Sequence, residues 1–338
     1  MRSIFRKIMK IQLSHSFEDI ISIENLLEAW KEFARGKRNK QDVQEFSFNL
    51  MDNILSLNND LANHIYKHGA YQAFNICDPK PRNIHKAIVR DRLLHHAVHR
   101  ILYPFFDWIF IADSFSCRID KGTHKAINRL REFAYRVSKN NTITCWVLKC
   151  DIKKFFASIG HKILIDILRE YIPDQNIIWL LEEIIGSFSS LRVGVGLPLG
   201  NLTSQLLVNI YMNEFDQFVK HKLKAKYYIR YADDFVILSE NKNQLKSLLL
   251  YIGAFLHTEL KLELHPKKVS IKTLASGTDF LGWVNFPDHR VLRTTTKRRM
   301  LKRIKTNPKP ETTASYLGLL KHGNSFKIRK EDFKIMLD

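Results

Sequence analysis

The sequence has 338 residues, of which 45% are hydrophobic, so it predicts a globular protein with a sizeable core rather than a disordered chain. Its net charge of +20 exceeds what solubility requires and indicates a polyanionic partner, nucleic acid first and an anionic membrane surface second. The sequence has no apolar run of about 18 residues, which argues against a membrane span. Its four cysteines lack CxxC spacing, which argues against a zinc site or a disulfide framework, so we expect a protein of the reducing cytoplasm.

Hydrophobic spacing predicts helices in the first third of the chain. Residues 24–35 have the pattern of an amphipathic helix. Apolar residues then recur every three or four positions from Val43 to Ile65, which predicts one long helix. The prolines of residues 78–82 interrupt helical structure, and a further helical pattern begins near Asp91.

The middle of the chain contains strand patterns that end on acidic residues. Residues 143–152 are rich in β-branched and aromatic residues and predict a buried strand that ends on Asp151. Residues 226–238 predict two strands that meet at Asp233 and Asp234. The remaining patterns are helices at 161–186, 202–225 and 241–258 and short strands near 268–274, 278–285 and 290–293. The predicted fold class is α+β, with a small antiparallel sheet packed on helices.

The three acids at strand ends suggest a metal site. Strand ends are rigid and can converge across a sheet, but unpaired buried carboxylates cost several kcal/mol each. Mg²⁺ offsets that cost because it takes oxygen ligands and keeps positions open for phosphate, and a pair of such ions supports in-line phosphoryl displacement. Taken alone, Ala-Asp-Asp is more often a surface turn, so the motif needs its surroundings.

Those surroundings resemble the reverse transcriptases from about residue 70 to residue 293. In chain order the matching segments are DPKPRNIHKAIVRDRL, SFSCRIDKGTHKAI, WVLKCDIKKFF, GLPLGNLTSQ, YADD, LELHPKKVSI and TDFLGW. Seven segments in the family's order are far more specific than any one of them. The resemblance implies a right-hand polymerase fold with an N-terminal helical extension (1–75), fingers (76–142), a palm (143–293) and a short basic helical thumb (294–338).

The resemblance also implies roles for individual residues. Two Mg²⁺ ions, or Mn²⁺, would be bound by Asp151, Asp233, Asp234 and the backbone of Ile152. Lys268 would protonate the leaving pyrophosphate, although Lys267 is an alternative. The residues implied to bind the incoming dNTP are Lys80, Arg82, Lys154, Phe155, Phe156, Leu199 and Gly200, with Phe156 as the gate against ribonucleotides. The residues implied to contact template and primer are Tyr231, Gln205, Gly282, Trp283, Lys297, Arg298 and Lys302.

Several of these residues have simpler explanations when they are considered without the family. Phe156 would be a packing residue, because phenylalanine is commonly buried. Lys80 and Arg82 would be solvated loop charges, whereas in the family reading they clamp the triphosphate, where arginine offers bidentate contacts. The six Lys and Arg of residues 297–305 would be a solvated helix face, whereas beside a polymerase palm they favour phosphate contact.

The subtype is indicated by the segment GLPLGNLTSQ. Retroviral and group II intron enzymes usually have glutamine where this chain has Leu199, and proline where it has Gln205. This combination resembles the reverse transcriptases of diversity-generating retroelements, which copy a template RNA with errors opposite adenine. The implied partners are template RNA, cDNA or primer, dNTPs and a small basic helical accessory oligomer, and no membrane. The alternatives are a reverse transcriptase of antiphage defence, with templated or untemplated synthesis, and a nucleic-acid-binding protein whose polymerase site has decayed.

Overall fold

The structure is a computed structural model that describes residues 10–77, 81–190, 192–307, 309–326 and 328. The helices are α1 (Phe17–Ile21), α2 (Ile23–Ala34), α3 (Gln41–Phe48), α4 (Leu50–Ala62), α5 (Val89–Ile109), α6 (Thr123–Val137), α7 (His161–Tyr171), α8 (Gln175–Gly186), α9 (Leu202–Gln217), α10 (Lys242–Thr258), α11 (Thr294–Thr306) and α12 (Pro310–Leu320). The strands are β1 (Gln72–Ile76), β2 (Arg82–Lys86), β3 (Trp146–Asp151), β4 (Tyr228–Tyr231), β5 (Asp234–Ser239), β6 (Ser270–Thr273), β7 (Thr278–Phe280), β8 (Trp283–Asn285) and β9 (Arg290–Leu292). Short 3₁₀ segments occur at Phe155–Ser158 and Leu274–Ser276, and a π-helical turn at Phe218–Lys222. The α+β prediction is confirmed.

The chain divides into two compact units, and each is built from separate segments. The described residues of the first unit come from Met1–Ile111, Lys153–Gln217 and Phe255–Glu263. Those of the second come from Ala112–Ile152, Phe218–Ala254 and Leu264–Asp338. The fingers, palm and thumb segments inferred from the sequence are contiguous and remain a prediction.

The first unit is mainly helical and packs around α5 and α9. Helix α5 buries Leu94, Ala97 and Val98, and it packs against α2. Helix α9 is buried on nearly all sides, including Asn209 and Asn213, as expected for a helix in the middle of a unit. Within the described part of the chain, no helix is both long enough and apolar enough to cross a membrane.

Two helical predictions are interrupted in the structure. The single helix predicted from Val43 to Ile65 is wrong: α3 ends at Phe48 and α4 begins at Leu50, because Asn49 leaves the helical region with φ −112° and ψ 43°. Phe48, the last residue of α3, is 89% exposed. The helical stretch at 161–186 is likewise divided before Pro173, since the residue preceding a proline is disfavoured in helical conformation.

The segment around the two prolines contains a hairpin that hydrophobic spacing did not predict. Strands β1 and β2 pair antiparallel, and Ile76 lies opposite Arg82. Strand β1 is largely exposed, and β2 changes from exposed to half-buried along its length, so neither has the alternation of a half-buried strand. Residues 78–80 lie outside the described residues.

The second unit contains a four-stranded antiparallel sheet in the order β4-β5-β3-β6. Helix α6 begins after Gly122, whose φ of 97° requires glycine, and it buries Ile127, Leu130 and Phe133. These side chains share one hydrophobic cluster with Val147 of β3 and with residues of β4 and β5. The two strands predicted to meet at the acidic pair are confirmed as β4 and β5.

A second sheet, β7-β8-β9, joins the same core to the C-terminal helices. The β7–β8 turn has φ 51° at Leu281 and 88° at Gly282, as a two-residue hairpin with the right-handed twist of strands requires. Trp283 follows the turn and is 1% exposed. Met300 and Ile304 bury the apolar face of α11 in this core.

Gly323 tests the packing of the segment after α12 on this core. A Cβ at Gly323 would lie 2.1 Å from Cζ3 of Trp283, a ring that has no room to move. Gly323→Ala is expected to lower the free energy of unfolding by about 2 kcal/mol, the usual size of overpacking. The measurement is urea denaturation followed by tryptophan fluorescence.

Gly318→Ala is the matched control. Gly318 lies within α12 and an added Cβ would meet nothing within 4 Å. Alanine there should raise stability by about 0.5–1 kcal/mol through helix propensity. Equal effects of the two substitutions would contradict the packing of Gly323 on Trp283.

Candidate active site

The antiparallel sheet of the second unit brings two of the predicted acids together at one end. In the register of β3 and β5, Asp151 lies directly opposite Asp234. Asp233 occupies the two-residue turn between β4 and β5, next to Ala232. The three acids predicted from separate motifs therefore share one end of one sheet.

Backbone hydrogen bonds hold this end rigid. The N–H of Ile152 donates to the carbonyl of Asp233 at 3.1 Å, and the N–H of His265 donates to the carbonyl of Asp151 at 2.7 Å. Ala232 adopts a left-handed φ of 54°, a conformation that costs a non-glycine residue about 1 kcal/mol. The guanidinium of Arg230 donates to the carbonyl of Ala232 at 3.2 Å and so supports the strained turn.

Two lysines provide positive charge to the acids. Lys268 Nζ donates to both carboxylate oxygens of Asp151, each at 2.9 Å. Lys149 Nζ lies 3.6 Å from Oδ2 of Asp234 and donates to the backbone carbonyl of Asp279 at 2.5 Å. Of the two lysines proposed for the leaving-group role, Lys268 is the one that reaches the acids.

Asp234 is the acid in the least favourable surroundings. Burial raises the pKa of Asp234 to about 7, the charge of Lys149 acts in the opposite direction, and Asp233 and Asp151 raise this pKa further. Its Oδ1 atom is buried, and no described residue donates a hydrogen bond to it. An ionised Asp234 therefore needs more positive charge than Lys149 supplies.

The donor chemistry of this cluster fits a hard divalent cation. Carboxylate oxygens and backbone carbonyls are the ligands that Mg²⁺ prefers, and the unbonded Oδ1 of Asp234 is such an oxygen. Within the described residues, no three His, Cys, Asp and Glu side chains are grouped so that they could hold a metal ion together. The ammonium of Lys268 engages both oxygens of Asp151, so a cation and this lysine compete for the same lone pairs.

The residues predicted to bind the dNTP lie in the first unit, as far as the structure describes them. Lys154 has a left-handed φ of 47° and precedes the 3₁₀ turn in which Phe155 is buried and Phe156 half-buried. The carbonyl of Phe156 accepts from the N–H of Leu197 at 2.8 Å. This bond ties the turn to the glycine-rich loop that contains Leu199.

A second backbone bond ties the same loop to the β1–β2 hairpin. The N–H of His85 donates to the carbonyl of Leu199 at 2.9 Å. A Cβ at Gly200 would lie 2.7 Å from Cγ2 of Ile84, and its φ of 111° also requires glycine. Arg82 is exposed at the start of β2, so it belongs to the same connected set, whereas Lys80 lies outside the described residues.

The residues predicted to contact template and primer are more scattered. Tyr231 is half-buried at the end of β4 and its hydroxyl accepts from Thr123 Oγ1 at 3.3 Å. The carbonyl of Gly282 accepts from the N–H of Arg293 at 3.0 Å. Trp283 is buried in the core, so its ring supports the turn and does not reach a nucleic acid. Gln205 is half-buried on α9. On α11, Lys297 is half-buried, and Arg298 and Lys302 are exposed.

Two supporting residues of the site were missed by the motif comparison. Lys149 precedes Asp151 by two positions, so on a strand both side chains point to the same face, and this spacing was the available signal. Arg230 is fully buried in β4, and its guanidinium donates to Ser114 Oγ at 3.1 Å. A buried arginine has no sequence signal of its own, since its burial depends on the partners it meets.

Comparison with known proteins identifies the family of the chain. The sequence model described as "Reverse transcriptase (RNA-dependent DNA polymerase)" matches residues 67–318. The chain belongs to the reverse transcriptase family. It is 26% identical to protein YkfC of Escherichia coli K12, over 65% of this chain and 65% of YkfC. It is 25% identical to the group II intron-encoded protein LtrA of Lactococcus lactis subsp. cremoris, over 62% of this chain and 44% of LtrA. The matched region of this reverse transcriptase thus spans less than two thirds of either relative.

Solved structures support the fold of this reverse transcriptase. Telomerases of Candida albicans and Candida tropicalis superimpose with TM-scores of 0.51 and 0.50, at 11% and 13% identity. The superposition covers 72% of this chain in both cases and 51% and 60% of the two telomerase chains. Identity this low concerns the fold alone, and it confirms the predicted right-hand polymerase fold.

The electrostatics of Asp234 predict an unusual pH dependence of stability in this reverse transcriptase. The unfolded-state pKa is near 3.8 and burial raises the folded-state pKa to about 7. Between these values the unfolded state loses its proton first, so stability falls as pH rises. Asp234→Asn removes the ionisation. The unfolding free energy of this variant relative to wild type should therefore increase by about 3 kcal/mol from pH 5 to pH 8.

The measurement is urea denaturation in EDTA at both pH values. Asp52→Asn removes a carboxyl that is exposed on α4 and serves as the control. It should show no comparable change between pH 5 and pH 8. A destabilised Asp234→Asn at pH 8 would contradict the inferred burial of unbalanced charge.

Proposed function

We propose that this chain is an active RNA-directed DNA polymerase that uses divalent metal ions to transfer nucleotides. The observation that carries the proposal is the convergence of three acids at one sheet end, with one buried carboxylate oxygen that lacks a hydrogen-bond donor among the described residues. A nucleic-acid-binding protein with a decayed site has no need to retain unbalanced carboxylates, since each destabilises the fold. Membership of a family described as RNA-dependent DNA polymerases supports RNA as the template.

In this proposal Asp151, Asp233, Asp234 and the backbone carbonyl of Ile152 hold two Mg²⁺ ions, or Mn²⁺. The bound ions supply Lewis acidity that stabilises the attacking and leaving oxygens of an in-line displacement. The rigid turn keeps the carboxylates in place, so little reorganisation accompanies reaction. Lys268 releases Asp151 and donates a proton to the leaving pyrophosphate.

The remaining predicted residues bind and orient the substrates. Arg82 contacts the triphosphate, and the backbone around Lys154 and Phe155 lines it. Phe156 places its ring against a ribose 2′-hydroxyl. The exposed Arg298 and Lys302 of α11, the thumb in this assignment, contact the phosphate backbone of template and primer, with residues 76–142 as fingers and 143–293 as palm.

Primer extension tests the proposed activity. The wild-type protein should extend a DNA primer on an RNA template with Mg²⁺ and dNTPs. Asp151→Ala and Asp233→Ala should each lower the rate by at least about a hundredfold, since an electrostatic catalytic group typically contributes that much. Asp166→Ala, which removes an exposed carboxylate on α7, should retain the wild-type rate. Equal activity of all four proteins would contradict the assignment of the acids.

We further propose that the enzyme is error-prone and belongs to a diversity-generating retroelement, with a small basic helical oligomer as accessory partner. Leu199 supports this proposal because it offers no hydrogen bond where related enzymes have an amide, and a lost polar contact lowers selectivity. The backbone of Leu199 is held by His85, so its side chain has a defined position on the loop. A reverse transcriptase of antiphage defence is the second candidate, because such enzymes also depart from the usual glutamine and proline.

Fidelity measurements test the role of Leu199. Leu199→Gln restores an amide and is expected to lower misincorporation opposite template adenine by about tenfold. That factor corresponds to the free energy that one hydrogen bond contributes to selection of the correct nucleotide. Product sequencing on a defined RNA template measures the error rate. Leu199→Met is the matched control, since it keeps an apolar side chain of similar size. An unchanged error rate in Leu199→Gln would contradict the explanation.

A further inference from the structure

A second basic and aromatic surface lies at the opposite end of the four-stranded sheet from the acids. It includes a cavity of about 350 Å³, here called the distal pocket, lined by Lys139, Lys224, Lys226, Val137, Tyr227 and Leu248 among others. Trp146 pairs with Ser239 at this end, five residues along β3 from the pairing of Asp151 with Asp234. At the rise of a β-strand that separation is about 17 Å, too far for contact with a reacting nucleotide at the acids.

The distal pocket has an apolar floor and a positive rim. Val137, Leu238 and Leu248 are buried beneath it. Arg136 lies at the edge, where its guanidinium is paired with Glu132. Lys139 lies 3.4 Å from Glu240, the only acid of the lining. Among the described residues no carboxylate pairs with Lys224 or Lys226, so the rim keeps an excess of positive charge.

Backbone strain is concentrated at the lysines of this rim. Lys139, Asn140 and Asn141 follow one another with φ of 48°, 63° and 66°, and Lys224 has φ 52° on the facing loop. A left-handed φ costs lysine about 1 kcal/mol, whereas asparagine adopts it readily, so the strain lies at Lys139 and Lys224. The hydroxyl of Thr142 donates to the carbonyl of Lys139 at 2.6 Å and helps to hold this conformation.

Lysines and aromatic rings occur as pairs along this end of the sheet. Lys226 Nζ lies 5.4 Å from the ring centre of Tyr227, just before β4. Lys242 Nζ lies 4.5 Å from the ring centre of Trp146, at the start of β3. Trp146 lies opposite Ser239, which lines the distal pocket. Tyr227 lies opposite Leu238, so its ring is on the other face of the sheet, and an RNA strand that contacts both rings would pass around the end of the sheet.

We propose that this end of the sheet binds single-stranded RNA, with one nucleotide in the distal pocket and the following ones toward Trp146. A base has an apolar face for Tyr227 or Trp146, and its phosphates meet Lys139, Lys224 and Lys226. Aromatic stacking combined with a positive groove is the usual way to bind a single strand without reading its sequence. A free nucleotide would use the pocket alone, whereas the second lysine–aromatic pair favours a continuous strand. This inference rests on the proposed RNA partner and not on polymerisation.

The test measures RNA binding to protein that is already saturated with an unlabelled primer–template, without Mg²⁺ or dNTPs. The labelled probe is a single-stranded RNA of about 12 nucleotides, followed by fluorescence anisotropy. The variant Lys139→Gln/Lys224→Gln/Lys226→Gln should weaken probe binding by about tenfold. It should also reduce the slope of log K against log salt by about 2, since each single-strand phosphate contact contributes about 0.7.

The control Lys40→Gln/Lys162→Gln/Lys261→Gln removes the same charge from exposed lysines elsewhere and should change binding less than about twofold. Primer extension at saturating primer–template should be unchanged in the distal-pocket variant. This readout separates failure of the RNA proposal from failure of the polymerase proposal.

A second measurement does not depend on a variant. RNA that carries 4-thiouridine should crosslink on irradiation to the peptides that contain Tyr227 and Trp146. Equal effects of the two triple variants, or crosslinks confined to other peptides, would overturn the proposal. Competition by ATP as effective as that by RNA would also overturn it and would assign the pocket to a free nucleotide.

Discussion

The accumulation of negative charge at one end of a sheet is the constraint on which the rest of this site depends. The antiparallel register places Asp151 opposite Asp234, and the turn adds Asp233. Such a group is stable only with compensating positive charge, which Lys268 and Lys149 supply in part. The raised pKa of Asp234 shows that this compensation is incomplete. The same imbalance that weakens the fold would favour a divalent cation in the proposed metal site, since the buried oxygen of Asp234 has no other positive partner among the described residues.

The loops of the first unit are organised by backbone rather than side-chain contacts. Leu197 bonds to Phe156 and Leu199 bonds to His85, so the 3₁₀ turn, the glycine-rich loop and the β1–β2 hairpin form one connected surface. Backbone bonds tolerate side-chain substitution, and the loop can therefore have leucine or glutamine at position 199 without a change of path. Gly200 is the exception, because its conformation and the nearby Ile84 leave no room for a side chain.

The C-terminal helices owe their orientation to the core of the second unit. Met300 and Ile304 bury one face of α11, which leaves Arg298 and Lys302 exposed on the other. Trp283 occupies the middle of this core, and Lys149 and Arg293 both contact Asp279 on the adjoining strand. Asp279 thus connects a residue beside Asp234 with the residue that precedes α11, so the acids and the first helix of the proposed thumb share one rigid framework.

The sequence by itself determined the fold class, the strands that contain Asp151 and Asp234, the turn at Asp233 and the family, because these follow from local periodicity and from the order of motifs. Tertiary structure alone decided the break of the helix at Asn49, the burial of Trp283, the contact of Lys268 with Asp151, and the contacts that Lys149 and Arg230 make beside the acids. It also decided which lysines gather in the distal pocket, where Lys139 and Lys224 come from segments 85 residues apart. The physical reason is the same in each case: burial and electrostatic pairing depend on neighbours that are remote along the chain, whereas periodicity and motif order do not.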